Sequence, residues 1–208
     1  MNGGVSSWTK HGLMSAFGTS WQGFSANADN TFGNSGIWDN SIAYETPSFA
    51  GFKVFAQYGM GTNNNENESR SDRYYGIGAS YANGPLNLYF AVDSINYQSA
   101  DLTNSPYAHG DDVKDSLTIR FGGNYDFGVT KVFALAQYYQ GVRNAAGWDM
   151  SGDFLDSEKT LPDAFGTDGF KGYGLHIGSI TPIGGGDLTV AAYFQDGKLE
   201  NVTSELAN

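Results

Sequence analysis

Polar and charged side chains recur at every second position in several short segments of this sequence. Between Ser116 and Tyr125 the even-numbered residues are polar or glycine, and the odd-numbered residues are mostly apolar. Asp93 likewise lies an even number of residues away from polar neighbours in its segment. Residues two apart lie on one face of an extended strand. The spacing therefore predicts rows of charged groups that face water, each on a strand whose other face is apolar.

The same residue types give little support for catalysis or metal binding. The three histidines, His11, His109 and His176, are far apart and lack metal-ligand spacing. Serine, histidine and aspartate are all present, but the sequence contains no Gly-x-Ser-x-Gly elbow. The glycines at 76 and 78 fall in a predicted strand rather than in a phosphate-binding loop before a helix. We therefore expect no enzymatic activity, no metal site and no cofactor.

Composition favours a β protein with few charges. The 208 residues include 29 glycines, 15% aromatic residues and 16% charged residues, whereas soluble proteins carry roughly 25% charged residues. The net charge of −11 argues against a nucleic-acid partner, which needs a basic surface. There is no cysteine, so disulfides and thiolate sites are excluded, and no apolar run is long enough for a transmembrane helix.

Period-two patterning predicts an all-β fold with about eight strands. Two of them, the second and the sixth, mix apolar and polar residues on both faces. We assign Lys53 and Gln57 to the inward face of the second strand, and the sixth has no assigned face. The predicted strands are Asp39–Thr46, Phe52–Met60, Asp72–Ala82, Pro85–Asn96, Asp115–Phe127, Thr130–Gly141, Gly169–Thr181 and Asp187–Gly197.

The connections between these strands alternate strictly between short and long. Short turns are predicted at Pro47–Gly51, Asn83–Gly84, Phe127–Val129 and Pro182–Gly186, and long polar loops at Met60–Ser71, Tyr97–Lys114 and Val142–Asp168. Short turns on one side and long loops on the other are typical of an antiparallel transmembrane β-barrel of the outer membrane. A soluble β-sandwich shows the same facial alternation, but it does not require this alternation of loop lengths.

Three hairpins in this order resemble one protein family. NSIAYETPSFAGFKVFAQYGMG, Asn40 to Gly61, resembles the NSI-x-Y hairpin of the trimeric general porins of Gram-negative bacteria. RYYGIGASYANGPLNLYFAVD, Arg73 to Asp93, is similar to the next hairpin, and FGGNYDFGVTKVFALAQ, Phe121 to Gln137, to the one after it. The resemblance covers essentially Asn40–Gln195.

The resemblance implies a homotrimeric outer-membrane porin that lets ions and small hydrophilic solutes diffuse passively, with outer-membrane lipid around it. Barrels of this family have about sixteen strands, so about half are present here. We expect a single partial barrel domain over 1–208, with the inward-folded constriction loop at 8–36 and barrel strands and loops at 37–197. The chain would then be a fragment of a longer gene product, without the signal peptide.

The resemblance also suggests which residues line the pore. On the loop the candidates are Asp29 and Asp39, and on the facing wall Lys53, Arg120 and Lys131. Parity adds three more inward residues, Glu45, Asp93 and His176, and Gln57 joins them on the face assigned to Lys53. Relatives carry basic residues in two slots that here hold Ile37 and Ala43, so we expect weak cation preference or little selectivity.

Two other readings remain open on the sequence. One is a small closed barrel of eight strands with a structural or adhesive role in the outer membrane. The other is a secreted β-sandwich that binds carbohydrate through exposed aromatic residues.

Overall fold

The computed structural model describes residues 14–16, 41–60, 73–96, 114–142, 144–145, 148–149 and 170–200. Within these ranges no helix is long and apolar enough to cross a membrane. Eight strands form one antiparallel sheet in the order β1-β2-β3-β4-β5-β6-β9-β10, and β7 pairs with β8 separately. The strands are β1 Ser41–Glu45, β2 Phe52–Met60, β3 Arg73–Asn83, β4 Leu86–Asn96, β5 Ser116–Asp126, β6 Lys131–Val142, β7 Asn144–Ala145, β8 Trp148–Asp149, β9 Phe170–Ile183 and β10 Gly186–Leu199.

The eight predicted strands are confirmed, and their ends differ from the prediction by at most two residues. The two-residue ladder of β7 and β8 was not predicted, because it lies inside the polar loop expected at Val142–Asp168. The short connections are confirmed as turns. At the β3–β4 turn Gly84 has φ +54°, a left-handed conformation that glycine adopts without a steric penalty. The β5–β6 turn is closed by a hydrogen bond from the Phe127 amide to the Thr130 carbonyl, 2.9 Å long.

The two faces of the sheet have the opposite burial pattern to a soluble protein, in which apolar side chains are buried and polar ones are exposed. One face, here called the outer face, leaves large apolar side chains exposed. The opposite inner face buries polar and charged side chains. Outer-face residues include Ile42, Val54, Ile77, Phe90, Phe121, Leu175, Ile177, Val190 and Phe194, and buried inner-face residues include Gln57, Asp93, Ser116, Thr118, Arg120, Asn124, Gln137 and His176.

Strand β6, whose face the sequence left unassigned, is oriented clearly in the structure. Phe133, Leu135, Gln137 and Tyr139 are buried on the inner face, while Ala134, Ala136 and Tyr138 are exposed on the outer face. The inward face therefore carries two large apolar residues, which is why alternation of polarity failed to identify it.

On β2 and β3, aromatic residues of the outer face lie towards the two ends of the strands. On the turn side Phe52 packs against Tyr81, with ring centroids 4.4 Å apart. On the loop side Tyr58 packs against Tyr75 at 5.4 Å. Phe52 and Tyr58 lie six residues apart on β2, about 20 Å at roughly 3.3 Å per residue. Aliphatic side chains fill the band between them, an arrangement typical of a strand that crosses a bilayer.

The described residues form one layer and not two stacked sheets, so they do not build the β-sandwich left open by the sequence. Strands β1 and β10 are the edges of this sheet and are not paired with each other in the described part of the chain. The sheet is therefore open as described and does not form a closed eight-stranded barrel.

Placing a charge on the outer face should destabilise the protein in a depth-dependent way. Ile77, near the middle of the apolar band, and Ile183, beside the β9–β10 turn, are both 57% exposed. In phospholipid vesicles we expect Ile77→Lys to lower the free energy of unfolding by about 2–4 kcal/mol and Ile183→Lys by about 0–1 kcal/mol. Denaturant titration measures both. Equal effects of the two substitutions would contradict a lipid-facing outer face.

Candidate functional site: the inner face and the segment docked on it

Seven of the nine predicted pore residues fall within the described part of the chain, and all seven lie on the inner face. They are Glu45, Lys53, Gln57, Asp93, Arg120, Lys131 and His176. Asp29 and Asp39, expected on the constriction loop, lie outside the described residues. The structure thus gathers the wall candidates on one surface, and it shows that most of them contact a specific neighbour.

Lys53 on β2 forms an exposed ion pair with Glu45 on β1. The Lys53 Nζ lies 2.8 Å from Glu45 Oε1, and the two side chains are 41% and 21% exposed. Both groups face inward. Glu45 is the direct register partner of the buried Phe55, and Lys53 lies two residues before Phe55 on the same face of β2. An exposed pair of this kind contributes little stability, but both of its charges are accessible to water and ions.

Two other predicted wall residues also have partners. Gln57 donates a hydrogen bond from Nε2 to Ser41 Oγ, 2.9 Å away on β1. The Lys131 ammonium lies 5.5 Å from the ring centroid of Phe133, two residues further along β6. This distance is within the range of a cation–π contact. Lys131 is half-buried, so its position beside the ring leaves part of its charge in contact with solvent.

Arg120 and Asp93 form a buried ion pair between β5 and β4. Arg120 Nη1 lies 2.5 Å from Asp93 Oδ2, and the two side chains are 1% and 0% exposed. Tyr74 on β3 donates its hydroxyl to the other carboxylate oxygen, Asp93 Oδ1, at 2.9 Å. Burying an ion pair is less costly when its remaining polar atoms also have partners, and the tyrosine supplies one for the carboxylate.

Glycine at position 76 lets Tyr74 reach this pair. A Cβ built on Gly76 would lie 2.8 Å from the Tyr74 hydroxyl oxygen and 3.1 Å from two carbons of its ring, so the phenol ring lies over the backbone of its own strand. Gly76 is also paired directly with Asp93 in the register of β3 and β4. The ring therefore crosses the glycine and ends at the carboxylate on the next strand.

Residues 14–16 dock on a row of side chains that crosses five strands of the inner face. We call this row the docking row. It consists of Tyr89, Gly122, Leu135, His176 and Tyr193, which are successive register partners on β4, β5, β6, β9 and β10. Met14 is fully buried against Leu135, with Tyr89 and Tyr193 packed around it. Small residues make room here, since a Cβ on Gly122 would lie 3.0 Å from the Met14 sulfur.

His176 makes the polar contact with the docked segment. The Ala16 amide donates to His176 Nε2 at 3.4 Å, across 160 residues of sequence. The imidazole also packs against the Tyr193 ring, with centroids 4.6 Å apart. An Nε2 that accepts a hydrogen bond places the ring proton on Nδ1, so the neutral imidazole is the form that fits this contact. His176 thus faces the chain segment rather than open water.

At the loop side of the sheet, Glu200 connects the segment that follows β10 to two other strands. Its carboxylate lies 3.1 Å from Lys114 Nζ, just before β5, and 3.4 Å from Lys171 Nζ at the start of β9. Burial alone would raise the pKa of Glu200, but the contacts with Lys114 and then Lys171 outweigh it and lower this pKa. The contribution of this carboxylate to stability is therefore present at neutral pH and lost on acidification.

Sequence reasoning missed two residues that organise the inner face, Tyr74 and Met14. Tyr74 could have been found, since it lies two residues before Gly76 in the predicted strand Asp72–Ala82 and therefore shares a face with this small residue. Met14 carries no such signal, because no periodic pattern surrounds it and only the fold brings it to Leu135.

Removing the Met14 side chain should release the docked segment. We expect Met14→Ala to lower stability by about 2–5 kcal/mol, as for other buried large-to-small substitutions. The Ala16 amide should exchange its hydrogen faster as a result. Hydrogen exchange read by mass spectrometry measures this, with Met60→Ala, at the partly exposed end of β2, as the control. Unchanged exchange in Met14→Ala would mean that methionine does not hold the segment.

The hydroxyl of Tyr74 should contribute to stability, whereas the hydroxyl of Tyr75 should not. Tyr74→Phe removes a buried donor from Asp93, and we expect a loss of about 1–3 kcal/mol. Tyr75→Phe, on the exposed outer face, should change stability by less than about 0.5 kcal/mol. Parallel unfolding titrations compare the two single-oxygen deletions. A smaller loss at position 74 than at 75 would refute the role of the hydroxyl.

Comparison with known proteins agrees with this two-faced sheet. The family model described as Gram-negative porin matches residues 4–207. An outer membrane porin protein of Bordetella pertussis is 31% identical over 191 residues, covering 81% of this chain and 44% of that protein. The chain therefore spans less than half the length of this relative. No solved structure matches the chain.

The family match covers nearly the whole chain, and the sheet has the antiparallel strands, short turns and apolar outer face of a transmembrane β-barrel. Localisation in the outer membrane follows from the family and from the relative. On this evidence the chain belongs to the Gram-negative porin family.

Proposed function

We propose that this chain supplies the wall and the inward-folded loop of a water-filled channel for passive diffusion of ions and small hydrophilic solutes. The observation that carries the proposal is the polarity of the sheet, with exposed apolar residues on the outer face and polar and charged residues on the inner face. A wall between lipid and water needs this arrangement, and a catalyst does not. The family is one of channels rather than enzymes.

The docked segment supports the assignment of 8–36 as the constriction loop. Met14 to Ala16 fall inside that range and lie against the inner face, where a loop that narrows the channel has to lie. The partners proposed for the whole protein are outer-membrane lipid, diffusing ions and solutes, and two further copies in a homotrimer. The trimer rests on the family resemblance alone.

Charge pairing supports weak cation preference or little selectivity. Of the three cations predicted on the wall, Lys53 contacts Glu45 and Arg120 contacts Asp93. Each of these pairs has no net charge, so the wall offers anions less attraction than its count of basic residues implies. The chain as a whole carries a net charge of −11.

Planar-bilayer recording tests the channel itself. We expect stepwise conductance on insertion, and a zero-current potential in a KCl gradient that is near zero or of the sign for cation preference. Folded protein that inserts into the bilayer without conducting would refute the proposal and favour a structural role in the membrane. A clear anion preference would refute only the selectivity.

Removing the exposed wall cation should strengthen cation preference. Lys53→Gln removes the ammonium that contacts the Glu45 carboxylate, on an inner-face site open to ions. We therefore expect the zero-current potential to move towards the equilibrium potential of potassium. Lys198→Gln, on the outer face of β10, removes the same charge elsewhere and should leave the potential unchanged. An identical shift in both variants would show that total charge, and not the wall site, sets the preference.

A further inference from the structure

We propose that Asp93 determines the ion selectivity of this channel by cancelling the charge of Arg120, an inference that rests on the channel function proposed above. From the sequence, Arg120 is the basic residue whose inward orientation is best defined, since its strand alternates cleanly. In the structure it is not an open wall charge. Its side chain is 1% exposed, and its guanidinium is in direct contact with a carboxylate.

The register of β4 and β5 makes this pairing specific. Asp93 is the direct partner of Thr118, and Ala91 is the direct partner of Arg120, so the ion pair runs diagonally between adjacent strands. Diagonal neighbours on one face are within reach of long side chains such as arginine. The long arm of Arg120 spans the diagonal and places Nη1 on Asp93 Oδ2.

Tyr74 fixes the carboxylate in the orientation that the pair requires. Its hydroxyl donates to Oδ1 while the guanidinium donates to Oδ2, so each carboxylate oxygen has a donor. At a distance, the contacting carboxylate and guanidinium act as a small dipole rather than as a separate cation.

The contrast with Lys53 shows why the masking residue matters. Lys53 and Glu45 are partly exposed, so passing ions can interact with either charge separately. Arg120 and Asp93 are both buried, and their fields cancel before they reach the water-filled side. If Asp93 loses its charge, the guanidinium loses the carboxylate that contacts it, and the net charge of the inner face rises by one. Low-dielectric walls strengthen the attraction of such a charge for anions.

The main experiment compares zero-current potentials in a KCl gradient for four proteins: the wild type, Asp93→Asn, the double variant Asp93→Asn/Arg120→Gln, and Asp196→Asn. Asparagine keeps the shape of aspartate and can accept the Tyr74 hydroxyl. We expect Asp93→Asn to move the potential towards the equilibrium potential of chloride, and the double variant to restore the wild-type value. Asp196→Asn, which removes an exposed carboxylate from the outer face of β10, should have no effect. An unshifted Asp93→Asn, or a double variant that behaves like it, would overturn the proposal.

A second measurement does not depend on conduction. Phenylglyoxal modifies accessible arginine side chains, and mass spectrometry reads each site separately. In folded wild-type protein, Arg120 should react several-fold more slowly than the half-buried Arg73, and Asp93→Asn should raise the rate at Arg120 but not at Arg73. Equal rates at the two arginines in the wild type would overturn the masking. If no variant conducts, the channel function fails, and the reagent alone decides whether Asp93 shields Arg120.

Discussion

Because side chains alternate along each strand, the polarity of one face of this sheet determines which residues can lie on the other face. Because neighbouring residues point to opposite sides, every inward polar residue is flanked by residues that point outward. In β5 the inward Thr118 and Arg120 are separated by Ile119, and Phe121 follows on the outer face. A shift of one residue in register would expose charges on the apolar side and bury aliphatic residues on the other. The antiparallel pairing of eight strands therefore fixes the outer face and the inner face together.

Within that constraint, the inner face is organised by pairing large side chains with glycines. Tyr74 lies over Gly76, Phe55 lies against Gly78, and Met14 occupies the space above Gly122. In each case a Cβ on the glycine would lie within about 3 Å of the larger side chain. The small inward residues thus do not leave an empty wall. They provide room for aromatic rings and for the docked segment to lie close to the backbone.

The difference between local and long-range contacts explains which parts of the structure could be predicted from the sequence. The strands and turns could, because period-two polarity and turn residues are local signals. The inward orientation of Arg120 and Asp93 follows from the same local rule. Their contact does not, since it depends on the register of two strands whose connection spans residues 97–115. Strand β6 could not be oriented from the sequence because its inward face carries the apolar residues Phe133 and Leu135. Leu135 packs against Met14, which lies more than a hundred residues away in the sequence.

The positions of charges follow from the same physics. A charge on the inner face can either remain in water, as Lys53 and Glu45 partly do, or be buried with a partner, as Arg120 is with Asp93. Burial of a charge without its partner is strongly unfavourable, so the two buried residues function as a unit. Counting basic residues on a strand therefore overestimates the positive field of the wall. The field depends on which cations have a carboxylate within reach in the folded register, and for Arg120 that carboxylate is supplied by the neighbouring strand.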